Sequence, residues 1–169
     1  MDYRALIRDI PDYPKPGVVF KDLTGIWRNA EAHRKSAQDI ADHYRNSGIT
    51  KVVAAEARGF ITGSLVAAEL GAGFVPARKP GKLPWEHISE EYELEYGRDS
   101  LEMHRDAVIS GDVVLLIDDL LATGGTLSAA ARLVERLGGK ICGVGAIICL
   151  DFLEPQKKLS MPIFALVHY

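Results

Sequence analysis

The chain has 169 residues, 47% of them hydrophobic and 25% charged, with a formal net charge of −3 and a pI near 5.9. That length and apolar content predict one globular domain over residues 1–169, and the acidic balance excludes a protein whose main work is gripping nucleic-acid backbone, which demands a basic face. No apolar run approaches the roughly 20 residues of a membrane span, and the opening MDYRALIRDI is too charged for a signal peptide. A cytoplasmic protein with neither a nucleic-acid nor a membrane partner is expected.

In chain order, Leu6, Ile7 and Ile10 fall on one helical edge and predict a short helix that Pro11 stops. Three prolines in residues 11–16 make the next stretch stiff and extended, and Val18, Val19 and Phe20 then read as a strand. On composition Phe20 is equally a core residue or an exposed aromatic. Over 29–46 a polar stretch carries Ala37, Ile40, Ala41 and Tyr44 on one helical face, and Ser47-Gly48 ends it.

KVVAAEA is a buried strand, followed by Arg58-Gly59 and the small-residue helix FITGSLVAAEL. Ligands in open α/β sheets lie beyond the carboxyl ends of the strands. Arg58 is therefore placed on such a rim, where it suits a pyrophosphate; the alternative is a salt bridge to Glu56. A third strand over 74–77 leads into RKPGKLP, with Arg78, Lys79 and Lys82, which reads either as a solvated basic loop or as part of the same rim. Next, Glu91, Glu93 and Glu95 alternate with Tyr92, Leu94 and Tyr96, the period of a strand. Gly97-Arg98-Asp99 turns the chain and SLEMH returns, predicting a two-stranded flap over about 84–106 that can exclude water.

Residues 113–126 read VVLLIDDLLATGGT and carry the sharpest signal. A buried apolar strand ends at Asp118 and Asp119, and the helix LSAAARLVERL follows the small-residue loop. Glycines let backbone approach an anion and a helix N-terminus offers free N–H groups, so the loop suits a phosphate, with Thr123 and Thr126 adding hydroxyls. Carboxylates repel phosphate but grip sugar hydroxyls or the water shell of a divalent cation. A ribose phosphate satisfies both halves. The P-loop and dinucleotide glycine patterns are absent. Gly138-Gly139, the apolar KICGVGAIICLDF and PIFALV complete an α/β pattern: a mainly parallel sheet covered by helices on both faces. Cys142 and Cys149 read as buried free thiols, and the five histidines show no zinc spacing.

The string VLLIDDLLATGGT resembles the phosphoribosyl pyrophosphate signature of type I phosphoribosyltransferases, in which two acidic residues hold the ribose hydroxyls and the loop cradles the 5-phosphate. The resemblance extends to PGVVFKDLT, EARGF, RKPGKLP and YELEYG, which are similar to segments of the adenine branch, in that order, within residues 11–126. It implies an N-terminal hood over about 11–28. There Phe20 stacks on the base while Val19 and Lys21 read its edge through main-chain groups. Asp118, Asp119 and Ala122, Thr123, Gly124, Gly125 and Thr126 hold ribose and phosphate, and Arg58, Arg78, Lys79 and Lys82 hold pyrophosphate. On the lid, Glu95 approaches the base and Tyr96 packs over the substrate, with Glu95 and Arg58 as the catalytic residues. The resemblance also implies Mg²⁺ held through substrate and water rather than by protein ligands, and a homodimer with the basic loop at its interface. Hypoxanthine-guanine relatives usually carry an aspartate where this chain has Ala122, which favours the adenine branch. Lys21 stands where an arginine is common, and Gly25-Ile26-Trp27 where Pro-Leu is more usual. Adenine transfer to AMP in purine salvage is the expected activity. A xanthine or hypoxanthine transferase is the alternative, as is a non-enzymatic regulator of the same fold, which would need a DNA-binding domain for which 169 residues leave no room.

Overall fold

A computed structural model describes the backbone of residues 1–93 and 98–169, and every side chain among these except that of Glu93. The chain opens with a single 3-10 turn, Arg4–Leu6, and strand β1 (Arg8–Pro11), which pairs antiparallel with β2 (Val19–Asp22). The predicted N-terminal helix is thus corrected: one turn of helix offers few internal hydrogen bonds, whereas pairing with β2 satisfies the backbone along its length. A one-turn helix α1 (Thr24–Trp27), not foreseen from the sequence, leads to α2 (Ala30–Tyr44). Asn29 caps α2, its side chain accepting from the N–H groups of Glu31 and Ala32. Ala37, Ile40, Ala41 and Tyr44 are buried, as their spacing predicted.

Strands β3 (Lys51–Ala55) and β4 (Gly73–Ala77) flank helix α3 (Gly59–Leu70). The antiparallel flap is β5 (His87–Glu93) with β6 (Arg98–His104). Then come β7 (Val113–Leu121), α4 (Gly125–Arg136), β8 (Lys140–Cys149) and β9 (Ile163–His168). Five strands form one parallel sheet in the order β4-β3-β7-β8-β9. Helices α2 and α3 bury Ile40, Val66, Leu115 and Ile117 on one face, and α4 with the flap buries Leu116, Leu127, Leu133 and Met103 on the other. This is the predicted doubly covered sheet. Its strands read as unbroken apolar runs because both faces are dry.

Two strand ends differ from expectation. β7 continues past the acidic pair because Leu120 and Leu121 pair with Ile148 and Cys149 of β8. β8 stops at Cys149, and the chain turns through a 3-10 segment, Asp151–Leu153. Among the described residues no helix is long and apolar enough to cross a membrane.

Candidate active site

The parallel strands deliver their following loops to one rim. From β3 come Glu56 and Arg58, from β4 the basic loop, and at the end of β7 lie Asp118 and Asp119. Arg58 Nε sits 3.0 Å from Asp119 Oδ2, so the sheet brings together residues 61 positions apart. The predicted alternative partner, Glu56, instead holds Arg78 by two hydrogen bonds of 3.2 Å and accepts from the Lys79 N–H at 2.8 Å. Although burial pushes the Glu56 carboxyl up, the Arg78 guanidinium and the Lys79 N–H hold it below its ordinary value. Arg78 also donates to the Lys82 carbonyl. Its cation therefore organises the loop rather than facing the open rim. Lys79 donates to the Tyr92 hydroxyl and pairs with Asp99, tying the rim to both flap strands. Lys82 is exposed and has no ion pair among the described residues.

The acidic pair is costly to hold. Asp119 is 2% exposed, and its Oδ2 has no hydrogen-bond donor among the described residues despite the nearby Arg58 charge. Burial, and then repulsion from Asp119, push Asp118 well above the ordinary carboxylate range. Burial raises Asp119 too, opposed by Arg58. A buried carboxylate oxygen with an ion pair but no aligned hydrogen bond is uncommon, and here it fits a hydroxyl donor or the water shell of a hard cation. Gly59 permits the crowding: a Cβ there would lie 3.0 Å from Asp118 Oδ1 and 3.2 Å from the Ile117 carbonyl. Its role was not evident from EARGF, because the sequence does not show what α3 presses against.

After β7, Ala122, Thr123 and Gly124 lead into α4. Gly124 has φ +79°, a left-handed conformation that suits glycine, and no side chain caps the first turn of the helix. The N–H groups of that turn have no capping side chain, and Thr123 and Thr126 are half-buried beside them. The glycine turn and the uncapped helix start have the geometry that an anion site requires.

The hood lies across the same rim. Phe20 is half-buried, belongs to neither hydrophobic core, and packs its ring 5.2 Å from the Arg58 guanidinium and edge-on to Tyr13. The core alternative for Phe20 is therefore set aside. Strand β2 has a partner on one edge only, and Val19 and Lys21, two apart, share an edge. Both line a cavity of about 860 Å³ with Ala122, Thr123, Leu150 and Phe152. The Lys21 ammonium is held at the cavity wall itself, on Asp9 at 2.7 Å and over the Tyr169 ring at 3.8 Å. Leu150, Phe152 and Tyr169 are wall residues that the sequence reading missed, since only the return of β9 beside β8 places them there. The expected lid residues Glu95 and Tyr96 lie outside the described residues.

A buried acidic pair beside an uncapped helix start, on the carboxyl rim of a parallel sheet, is the arrangement suited to enzymes that handle ribose phosphates. The chain belongs to the phosphoribosyltransferase family, whose phosphoribosyl transferase domain matches residues 26–165. An adenine phosphoribosyltransferase from Solidesulfovibrio magneticus is 53% identical over 94% of this chain and 93% of its own length. The crystal structure of adenine phosphoribosyltransferase from Thermoanaerobacter pseudethanolicus superposes with a TM-score of 0.96 at 48% identity, covering 99% of this chain and 98% of the other. The Saccharomyces cerevisiae enzyme, complexed with an imino-altritol bisphosphate and adenine, superposes with a TM-score of 0.92 at 36% identity, covering 98% and 96%.

Proposed function

We propose that this phosphoribosyltransferase joins N9 of adenine to C1 of phosphoribosyl pyrophosphate, inverting that carbon and releasing pyrophosphate to give AMP. The observation that carries the reading is the junction of Phe20, Arg58 and Asp119. It sets a base-stacking ring, a cation and a buried sugar-hydroxyl acceptor within one side-chain length of each other. Asp118 and Asp119 accept from the ribose hydroxyls, and the first turn of α4 with Thr123 and Thr126 holds the 5-phosphate. Arg58, Lys79 and Lys82 meet the leaving pyrophosphate, while Arg78 shapes their loop. The apolar cavity takes the base, whose edge is read by the backbone of Val19 and Lys21.

Each of these groups acts by position and charge as the sugar develops positive character. Mg²⁺ neutralises part of the pyrophosphate charge when bound, and the Asp119 oxygen beside Arg58, which lacks an aligned hydrogen bond, fits its water shell as well as it fits a hydroxyl. Glu95 acts at the base, so Glu95→Gln lowers turnover while leaving phosphoribosyl pyrophosphate affinity near wild type; unchanged turnover removes that role. The enzyme works in the cytoplasm as a homodimer. Exposed Ile61 on α3 and Phe74 on the edge strand β4 supply apolar surface for the pairing.

The test is product formation from phosphoribosyl pyrophosphate and Mg²⁺ with adenine, hypoxanthine, guanine or xanthine offered separately. AMP formation far above the other nucleotides is expected. Preference for another base overturns the hood assignment, and binding without turnover makes the protein a nucleotide sensor. Phe20→Ala is expected to raise the adenine Michaelis constant with little change in Tm, because stacking on a base contributes on the order of 1 to 3 kcal/mol and the ring is outside the core. Loss of folding instead would return Phe20 to a structural role.

A further inference from the structure

At the carboxyl ends of β8 and β9 a second cluster forms outside the acidic pair. Cys149 and His168 are register partners on these neighbouring strands, and Asp151 follows at the turn. One ligand atom from each, the Cys149 Sγ, an Asp151 carboxylate oxygen and a His168 ring nitrogen, lie within 4.8 Å of one another. The His168 Nδ1 is 3.0 Å from both Asp151 oxygens. Cys149 is 2% exposed, while Asp151 and His168 stand at the surface, so the thiol forms the floor of a site open on one side.

The backbone fixes this arrangement. The Asp151 N–H donates to the Tyr169 carbonyl at 2.8 Å, the Tyr169 N–H to the Cys149 carbonyl at 3.0 Å, and the Leu150 N–H to the Leu121 carbonyl at 2.9 Å. Cys149 and His168 thus sit on the strand ladder, and Asp151 is tied to it by its backbone N–H at the start of the 3-10 turn. Arg4 also donates to the His168 carbonyl, and its guanidinium lies 4.3 Å over the Tyr169 ring.

We infer that Cys149, Asp151 and His168 form a binding site for a thiophilic divalent cation, of which Zn²⁺ is the representative. A thiolate, an imidazole and a carboxylate together match the borderline-soft preference of Zn²⁺ and not the all-oxygen preference of Mg²⁺. Three protein ligands leave a fourth tetrahedral position for water on the open side. On binding, the thiol proton leaves to solvent and the imidazole carries its remaining proton on Nε2, freeing the Nδ1 lone pair.

The site has a structural consequence. Leu150, Phe152 and Tyr169 alternate with the ligands and line the 860 Å³ cavity, so a bound ion fastens the far wall of that cavity. The histidines and cysteines carry no recognisable zinc spacing along the chain, and only the parallel pairing of β8 with β9 unites them.

The test is titration of the metal-free full-length protein with Zn²⁺ by calorimetry, and with Co²⁺ as a spectroscopic probe of sulfur ligation. One ion per chain is expected, with a thiolate-to-cobalt charge-transfer band in the near ultraviolet that Cys149→Ser abolishes. His168→Ala, at an exposed position that folding tolerates, should weaken Zn²⁺ binding by more than the roughly 10- to 100-fold that loss of an outer-shell partner costs. Absence of saturable Zn²⁺ binding, or a charge-transfer band undiminished in Cys149→Ser, overturns the proposal. Neither outcome depends on which base the enzyme prefers.

Discussion

Asp119→Asn is expected to lower kcat/KM for phosphoribosyl pyrophosphate by about a hundred- to a thousandfold while raising Tm at neutral pH. The kinetic half follows from the buried Oδ2, which has no donor of its own and faces the junction with Arg58. Loss of one preorganised electrostatic contact to a developing charge costs roughly 2.7 to 4 kcal/mol. The stability half follows from the sign of the titration. Both Asp118 and Asp119 are raised above their ordinary values, chiefly by burial. A carboxyl raised in the folded state contributes stability that is complete below the unfolded value of 3.8 and is lost as pH rises through the folded value.

At pH 7 the wild-type pair is therefore held at a cost that the neutral amide removes. The Tm gain should shrink as pH falls toward the ordinary carboxylate range, where the wild-type pair is itself protonated. Arg58 loses its partner in the variant but is partly exposed, so little of the gain is forfeited. Melting curves across that pH range together with initial rates check both halves. A variant with lower Tm and unchanged kcat/KM would make the pair a structural element. Sites that bind ligands in this way commonly trade stability for function.

The sequence made the sheet legible because strands dry on both faces appear as apolar runs, and KVVAA and VVLLI are such runs. The glycine turn into α4 was legible because its requirements are local: two glycines, two hydroxyls and a helix start within a few residues. Pairing choices were not local. That Arg58 meets Asp119 rather than Glu56 depends on β3 lying beside β7, and that Arg78 turns to Glu56 depends on β4 lying on the other side of β3. The N-terminal segment misled for a related reason. Leu6, Ile7 and Ile10 have helical spacing, but β2 offers Ile10 a backbone partner at Phe20, which spacing alone cannot reveal. Lys79 likewise reads as one more basic loop residue until the flap brings Tyr92 and Asp99 to it.

Arg58 should separate charge from shape at this junction. Its guanidinium lowers both Asp118 and Asp119 against the upward push of burial, and it lies over the Phe20 ring. Arg58→Ala removes both effects, so the pair rises further and fewer enzyme molecules hold an ionised acceptor at a given pH. The acid limb of the kcat/KM profile for phosphoribosyl pyrophosphate is therefore expected to move to higher pH. At the pH optimum, loss of the cation that we propose meets the pyrophosphate is expected to lower kcat by about a hundred- to a thousandfold.

Arg58→Lys restores a point charge but not the planar group that rests on the ring. Its acid limb should return toward the wild-type position, while the adenine Michaelis constant stays raised because Phe20 has lost its support. Profiles measured for the two variants side by side decide between the contributions. If both show the wild-type acid limb, Arg58 does not tune the carboxylates. If Arg58→Lys recovers the adenine Michaelis constant as well, charge alone links the sugar site to the base, and the packing of Arg58 on Phe20 is incidental.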